Sequence, residues 1–185
     1  MARPIDIQEL QQRYEMGDRD FSNVDLAEAN LQGMNLSAAV FSGANLECAI
    51  LRNANLTDAD LSSTDLSGAD LTGANLTGAN LNNAMLEGTV LEGALLDRAD
   101  MSQAALEVAN LVQATLTQAD LHQADLSGAN LEAADLNEAD LANARLDQAN
   151  LTDAALENAN LMGADLRDAK LTGTILEGGD PELAT

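Results

Sequence analysis

The 185-residue chain has no tryptophan, one tyrosine and two phenylalanines. A core built on aromatic side chains is therefore excluded, and whatever is buried must be aliphatic. Its one cysteine, Cys48, cannot close an internal disulfide, and nothing resembles a zinc-ligand cluster. Basic residues are scarce: 8 Lys and Arg stand against 31 Asp and Glu, a formal net charge of −23. That balance argues against ordinary binding to nucleic acid or to an anionic membrane, and it suits a basic protein partner. No apolar run is long enough to span a bilayer, and Asp6, Glu9, Arg13 and Glu15 interrupt any signal-peptide core, so the expected location is cytoplasmic. Acidic chains poor in aromatics can be disordered, but disorder rarely carries a strictly periodic apolar residue.

Such a period is what the chain does have. In "DLSGANLEAADLNEADLANARLDQANL", residues 125 to 151, leucine recurs at every fifth position. From Phe21 to Leu176 the beat runs for 32 units without a slip, and only Phe21, Phe41 and Met101 replace leucine. Two places before it stands alanine, from position 24 to 174, except at Val24, Met34, Thr64, Thr89 and Thr174. Immediately before it comes Asp or Asn in 21 of the 32 units.

Neither standard element buries such a series. Five steps of a helix rotate each leucine about 140° from the last, and an odd spacing along a strand flips it to the opposite face. The chain must turn once per unit so that the Leu and Ala side chains always point to one axis. Gly or Asn after many leucines, as at Gly33, Gly43, Gly68, Asn143 and Asn158, tolerates the positive φ of tight turns. The result is a coil of short sides, each turn stacking on the last by parallel β-type pairing, with right-handed winding expected. Phe21 and Phe41 are 20 residues apart and Ile50 and Val90 twice that, which fits four sides per coil.

In these repeats, over residues 20 to about 179, the chain resembles the pentapeptide-repeat family, whose motif runs A(D/N)LXX. The stretches "ELQQRYEMGDRDFSNVDL" and "GTILEGGDPELAT" look most like cyanobacterial members. The resemblance implies an all-β fold: a right-handed quadrilateral parallel β-helix of about eight coils. Departures at the Asp/Asn position (Val40, Ile50, Met85, Val90, Leu95, Ala105, Thr115, Arg145, Ala155, Lys170, Ile175) face outward and bear on the surface rather than the fold.

Three segments are expected: residues 1–19 as an N-terminal cap, 20–179 as the β-helix and 180–185 as a short tail. Residues 6 to 16 read as an amphipathic capping helix, with Asp6 at the N-cap, Glu9 three later, Ile5 and Leu10 as a hydrophobic staple and Gly17 as the stop. Ile7, Leu10 and Tyr14 share one side, and Phe21, Val24, Met34 and Phe41 offer that side a wide seat. Only "GGDPELAT" follows Glu177, too short for the C-terminal dimerisation helices of the gyrase-inhibiting members. The expected state is therefore a monomer or a weak end-to-end dimer.

No catalytic constellation is legible. His122 and Cys48 fall on outward positions of different coils, and the glycines keep the five-residue beat instead of forming a phosphate loop. Asp100, Asp120 and Asp140 should stack in a column, as should Glu87 and Glu107, but a flat ladder supplies too few oxygens for calcium. No enzyme activity, cofactor or metal is expected.

Two surface features remain. The side holding Leu26, Leu46 and their successors at intervals of 20 carries Asp25, Glu28, Glu47, Asp65, Glu87, Glu107, Asp125, Asp147, Asp165 and Asp168, with only Arg145 and Arg167 opposing them. It is the candidate partner face. Met85, Val90, Leu95, Ala105, Val108 and Val112 form an apolar collar, read first as β-favouring exterior packing and second as a partner site. The function expected is a non-catalytic interaction or scaffold protein. The alternative, drawn from the family resemblance, is a DNA-mimicking inhibitor or protector of a type II topoisomerase such as gyrase.

Overall fold

A computed structural model describes residues 3–177. Its body is a four-sided parallel solenoid. Bridges join each residue before the repeat leucine to the one 20 positions on, from Asp20↔Val40 to Asn150↔Lys170, so four five-residue sides complete one coil. Three main-chain hydrogen bonds per unit tie successive coils, as where Leu106 N–H donates to Asp125 C=O (2.7 Å), Val108 N–H to Ser127 C=O (3.0 Å) and Asp125 N–H to Ala104 C=O (2.9 Å). The backbone of each side is thereby satisfied without a conventional long strand.

The corner is the same in every unit from Leu26 to Leu171. The leucine carbonyl accepts from the N–H three residues on, as from Ala109 to Leu106 (3.0 Å). The residue two after the leucine has positive φ in every unit from Asn23 to Gly173. A single positive φ at the third residue marks a type II turn. Gly and Asn were expected to carry these turns, yet Gln103, Arg98 and the β-branched Val108 (φ 53°) adopt them too. The cost of a Cβ there, roughly 1–2 kcal/mol, is overridden by the inter-coil bonds and the buried leucine.

The leucines and the alanines two before them fill the axis: Leu106 is fully buried and Ala104 is 1% exposed. Thr64 and Thr89 replace alanine without exposure because their hydroxyls donate to the carbonyls of Phe41 (2.8 Å) and Leu66 (2.9 Å). Phe21 and Phe41 stack with centroids 5.5 Å apart, one coil on the next.

The first residues fold against this opening coil. Helix α1 spans Ile7–Glu15, one residue shorter at each end than expected, and Asp6 at its N-cap accepts from Glu9 N–H at 2.7 Å. Ile5 and Leu10 are buried in the same cluster as Phe21, with Ile7 and Tyr14 packed against it. Tyr14 Oη donates to Ser37 C=O (2.9 Å), Arg13 lies 4.8 Å over the Phe21 ring, and Arg13 Nη2 donates to Asp20 C=O (2.7 Å). Ahead of the helix, strand β1 (Arg3–Pro4) pairs in parallel with β2 (Val24–Asp25), a contact absent from the sequence reading. The expected tail, 180–185, lies outside the described residues.

Candidate interaction faces

The Asp and Asn before each leucine have a local task. In all 21 units that carry one, its Oδ1 accepts from the main-chain N–H two residues on, at 3.0 to 3.3 Å. Each such Asx turn pins the corner that follows. Asparagine adds a second bond along the column, as from Asn80 Nδ2 to Asp60 Oδ1 (3.2 Å) and Asn160 Nδ2 to Asp140 Oδ1 (2.8 Å). Much of the acidity therefore serves the fold. The sequence showed the preference but not this bond, although Asx turns over two residues are its known physical source.

On the side holding Leu26 and its successors, bridges run Asp25↔Asn45↔Asp65↔Met85↔Ala105↔Asp125↔Arg145↔Asp165. Gly88 N–H donates to Glu107 C=O (3.0 Å), which sets Glu87 and Glu107 in adjacent coils. Glu28, Glu47 and Glu87 are exposed and Glu107 is half-buried. The two cations divide this face. Arg145 pairs with Asp125 (2.5 Å) and Asp147 (3.4 Å), and Arg167 with Asp165 (2.6 Å). Hydrogen bonds from the Arg167 side chain and N–H hold the Asp165 carboxyl below its ordinary value. Upstream of the Arg145–Asp125 pair the repeat units of this face bear Asp25, Glu28, Glu47, Asp65, Glu87 and Glu107 and no Lys or Arg.

The collar is uneven. Met85 (45%), Leu95 (41%) and Val108 (62%) are exposed, whereas Val90 and Val112 are half-buried. A pattern missed in the sequence accompanies it. Of eight apolar residues in the Asp/Asn position, six have an acid two places later: Met85 with Glu87, Val90 with Glu92, Leu95 with Asp97, Ala105 with Glu107, Ala155 with Glu157 and Ile175 with Glu177. Where the Asx acceptor is lost, a carboxylate is displayed beside an apolar group.

His122 is half-buried and Cys48 exposed, on different sides and coils, and among the described residues no group of three His, Cys, Asp or Glu is placed to hold a metal. Two hollows flank α1. One, of about 610 Å³, is lined by Ile5, Ile7, Asp25 and Leu26, and the other, about 500 Å³, by Gln11, Tyr14, Met34 and Asn35. Neither hollow contains His122 or Cys48. No helix among the described residues is long and apolar enough to cross a membrane.

A stack of 20-residue coils with an inward leucine and a type II turn per unit defines a class. The chain belongs to the pentapeptide repeat family: the family model, in eight copies, matches residues 20–58, 54–93, 74–111, 108–143 and 139–178. Its members fold into right-handed quadrilateral β-helices and are generally structural or interaction proteins. Among solved structures, HetL, a pentapeptide repeat protein involved in heterocyst differentiation regulation in the cyanobacterium Nostoc sp. strain PCC 7120, is 33% identical with a TM-score of 0.50, the match covering 95% of this chain and 99% of HetL. A second Nostoc PCC 7120 pentapeptide repeat protein is 34% identical over 68% of this chain and 84% of its own, with a TM-score of 0.36. QnrB1, a plasmid-mediated fluoroquinolone resistance protein, shares the fold at 24% identity and a TM-score of 0.68, covering 93% of this chain and 88% of its own. No curated protein matches the chain.

Proposed function

We propose that this chain is a non-catalytic interaction protein that binds a basic protein surface through its acidic face upstream of Arg145. The observation that carries this reading is the partition of charge: six carboxylates from Asp25 to Glu107 share the repeat units of that face with no cation, while at the far end Arg145 and Arg167 offset half of the charge of Asp125, Asp147, Asp165 and Asp168. The Asx turns account for Asp25 and Asp65, but not for Glu28, Glu47, Glu87 and Glu107. In this reading residues 1–19 cap a rod formed by 20–179, about eight coils and roughly 38 Å long at the sheet spacing, with 180–185 as its tail. Membership of a family whose proteins are generally structural or interaction proteins supports a role in binding. The test is titration with octa-arginine at two salt concentrations. Binding that weakens steeply with salt is expected; absent binding, or binding indifferent to salt, contradicts it.

A second reading, mimicry of duplex DNA toward a type II topoisomerase, is favoured by charge spacing. Residues 20–179 hold five Lys and Arg against 25 Asp and Glu, leaving −20. Over the rod this is one charge per roughly 1.9 Å, beside about 1.7 Å for duplex DNA. Salt-sensitive inhibition of DNA gyrase supercoiling by the purified protein would favour it, and no inhibition at high excess would remove it.

A further inference from the structure

On the acidic face the Asp/Asn ladder gives way to apolar residues at two successive coils, where Met85 bridges Ala105. Met85 is 45% exposed there, and Val108 on the same face is 62% exposed. Val108 stands between glycines: the corresponding corners of the adjacent coils are Gly88 and Gly128, and a Cβ on Gly128 would meet Val108 Cγ1 at 3.4 Å. A branched side chain thus projects alone from a corner whose φ of 53° suits glycine better. Glu87 and Glu107 belong to the same two units, and their N–H groups lack the Asx acceptor that Asp25, Asn45, Asp65, Asp125 and Asp165 supply in their own units. Glu107 Oε2 is shielded from solvent and has no hydrogen-bond partner among the described residues.

The geometry points to a docking patch made by Met85, Glu87, Glu107 and Val108 for a protein segment that sets an apolar side chain beside Arg or Lys. This rests on the acidic-face reading and narrows it. A cation alone satisfies the carboxylates but leaves the Met85 thioether and the Val108 methyls in water. Nucleic acid carries the wrong sign, and a second copy of this chain brings its own −23.

The experiment compares two twelve-residue peptides of equal charge, alternating Arg-Leu and alternating Arg-Ser, by fluorescence anisotropy. Binding is measured to the wild type and to Met85→Asn/Val108→Gly. Both substitutions suit the backbone: Asn can restore the Asx bond to Glu87 N–H, and Gly relaxes at positive φ, so circular dichroism should be unchanged and the melt equal or higher. The wild type should prefer Arg-Leu by about tenfold, as partial burial of two apolar side chains predicts. In the double variant that preference should collapse while Arg-Ser affinity stays the same. Equal wild-type affinities for the two peptides, or a preference that survives the double substitution, would overturn the patch and leave the acidic-face reading standing. Failure of both peptides to bind would overturn the acidic-face reading and the patch together.

Discussion

The Thr64 hydroxyl donates to the main-chain carbonyl of Phe41 at 2.8 Å, from a side chain with no solvent exposure. The same carbonyl also accepts from Ala44 N–H at 2.8 Å, so Thr64 adds a second bond and leaves no orphan when removed. Thr64→Val keeps the volume and loses only this bond. It is expected to cost about 1 kcal/mol in urea unfolding. Thr89→Val should match it, since Thr89 donates to Leu66 in the same way. An unchanged midpoint for both would show that the hydroxyls contribute nothing.

The Asx turns predict an order of stability at one site. Asp120 Oδ1 accepts from His122 N–H at 3.0 Å and lies between Asp100 and Asp140 in a column of like charges. Asp120→Asn preserves the acceptor and relieves repulsion, whereas Asp120→Ala loses the acceptor at about 1 kcal/mol. Thermal melts should therefore rank Asn at or above Asp and Asp above Ala. A rank with Ala highest would mean that the column's repulsion outweighs the turn.

Asp70 links stability to pH. Burial alone would raise its carboxyl, but hydrogen bonds from Thr72 and Arg52 and the Arg52 charge hold it below the ordinary value. A depressed folded pKa contributes stability that is full above the unfolded value and lost as pH falls through the folded one. Arg52→Gln removes one cause of the depression. Because Arg52 is exposed and Asp70 is half-buried, solvent screens the pair, and the wild type should exceed the variant by only a few tenths of a kcal/mol at neutral pH. That gap should close in strong acid. A gap constant from neutral pH to about pH 2 would assign Arg52 a role other than the ion pair.

In the core, Leu106 is fully buried and its N–H bonds to Asp125 C=O at 2.7 Å. Leu106→Asp places an unpaired carboxylate on the axis, which costs several kcal/mol and should break cooperative unfolding of the central coils. A melt like the wild type's would contradict the inward direction of the leucines.

Leucine at every fifth position and alanine two before it were enough to indicate an inward-facing coil, because burial imposes a strict period on apolar residues. Phe21 and Phe41, 20 apart, already carried the coil length that the bridges show. What the residues did not disclose depends on contacts between coils or on backbone torsion. Gln103 and Val108 adopt positive φ although their side chains do not favour it, since the corner is set by its neighbours. Strand β1 follows no repeat: Pro4 pairs with Asp25, 21 residues on rather than 20. On the acidic face the ten carboxylates and the two arginines could be counted from sequence, but that the arginines pair with Asp125, Asp147 and Asp165 depends on side-chain contacts.

The central claim is that one face, not total charge, does the binding. The most direct measurement is calorimetric titration of octa-arginine into two charge-matched variants at one salt concentration. One carries Gln in place of Glu28, Glu47, Glu87 and Glu107, the other Gln in place of Glu92, Glu132, Glu138 and Glu157 on different sides. The first is predicted to lose affinity by about tenfold or more, equivalent to about 1.4 kcal/mol, with the second close to the wild type. Equal losses in the two variants would show a diffuse polyanion and contradict the account.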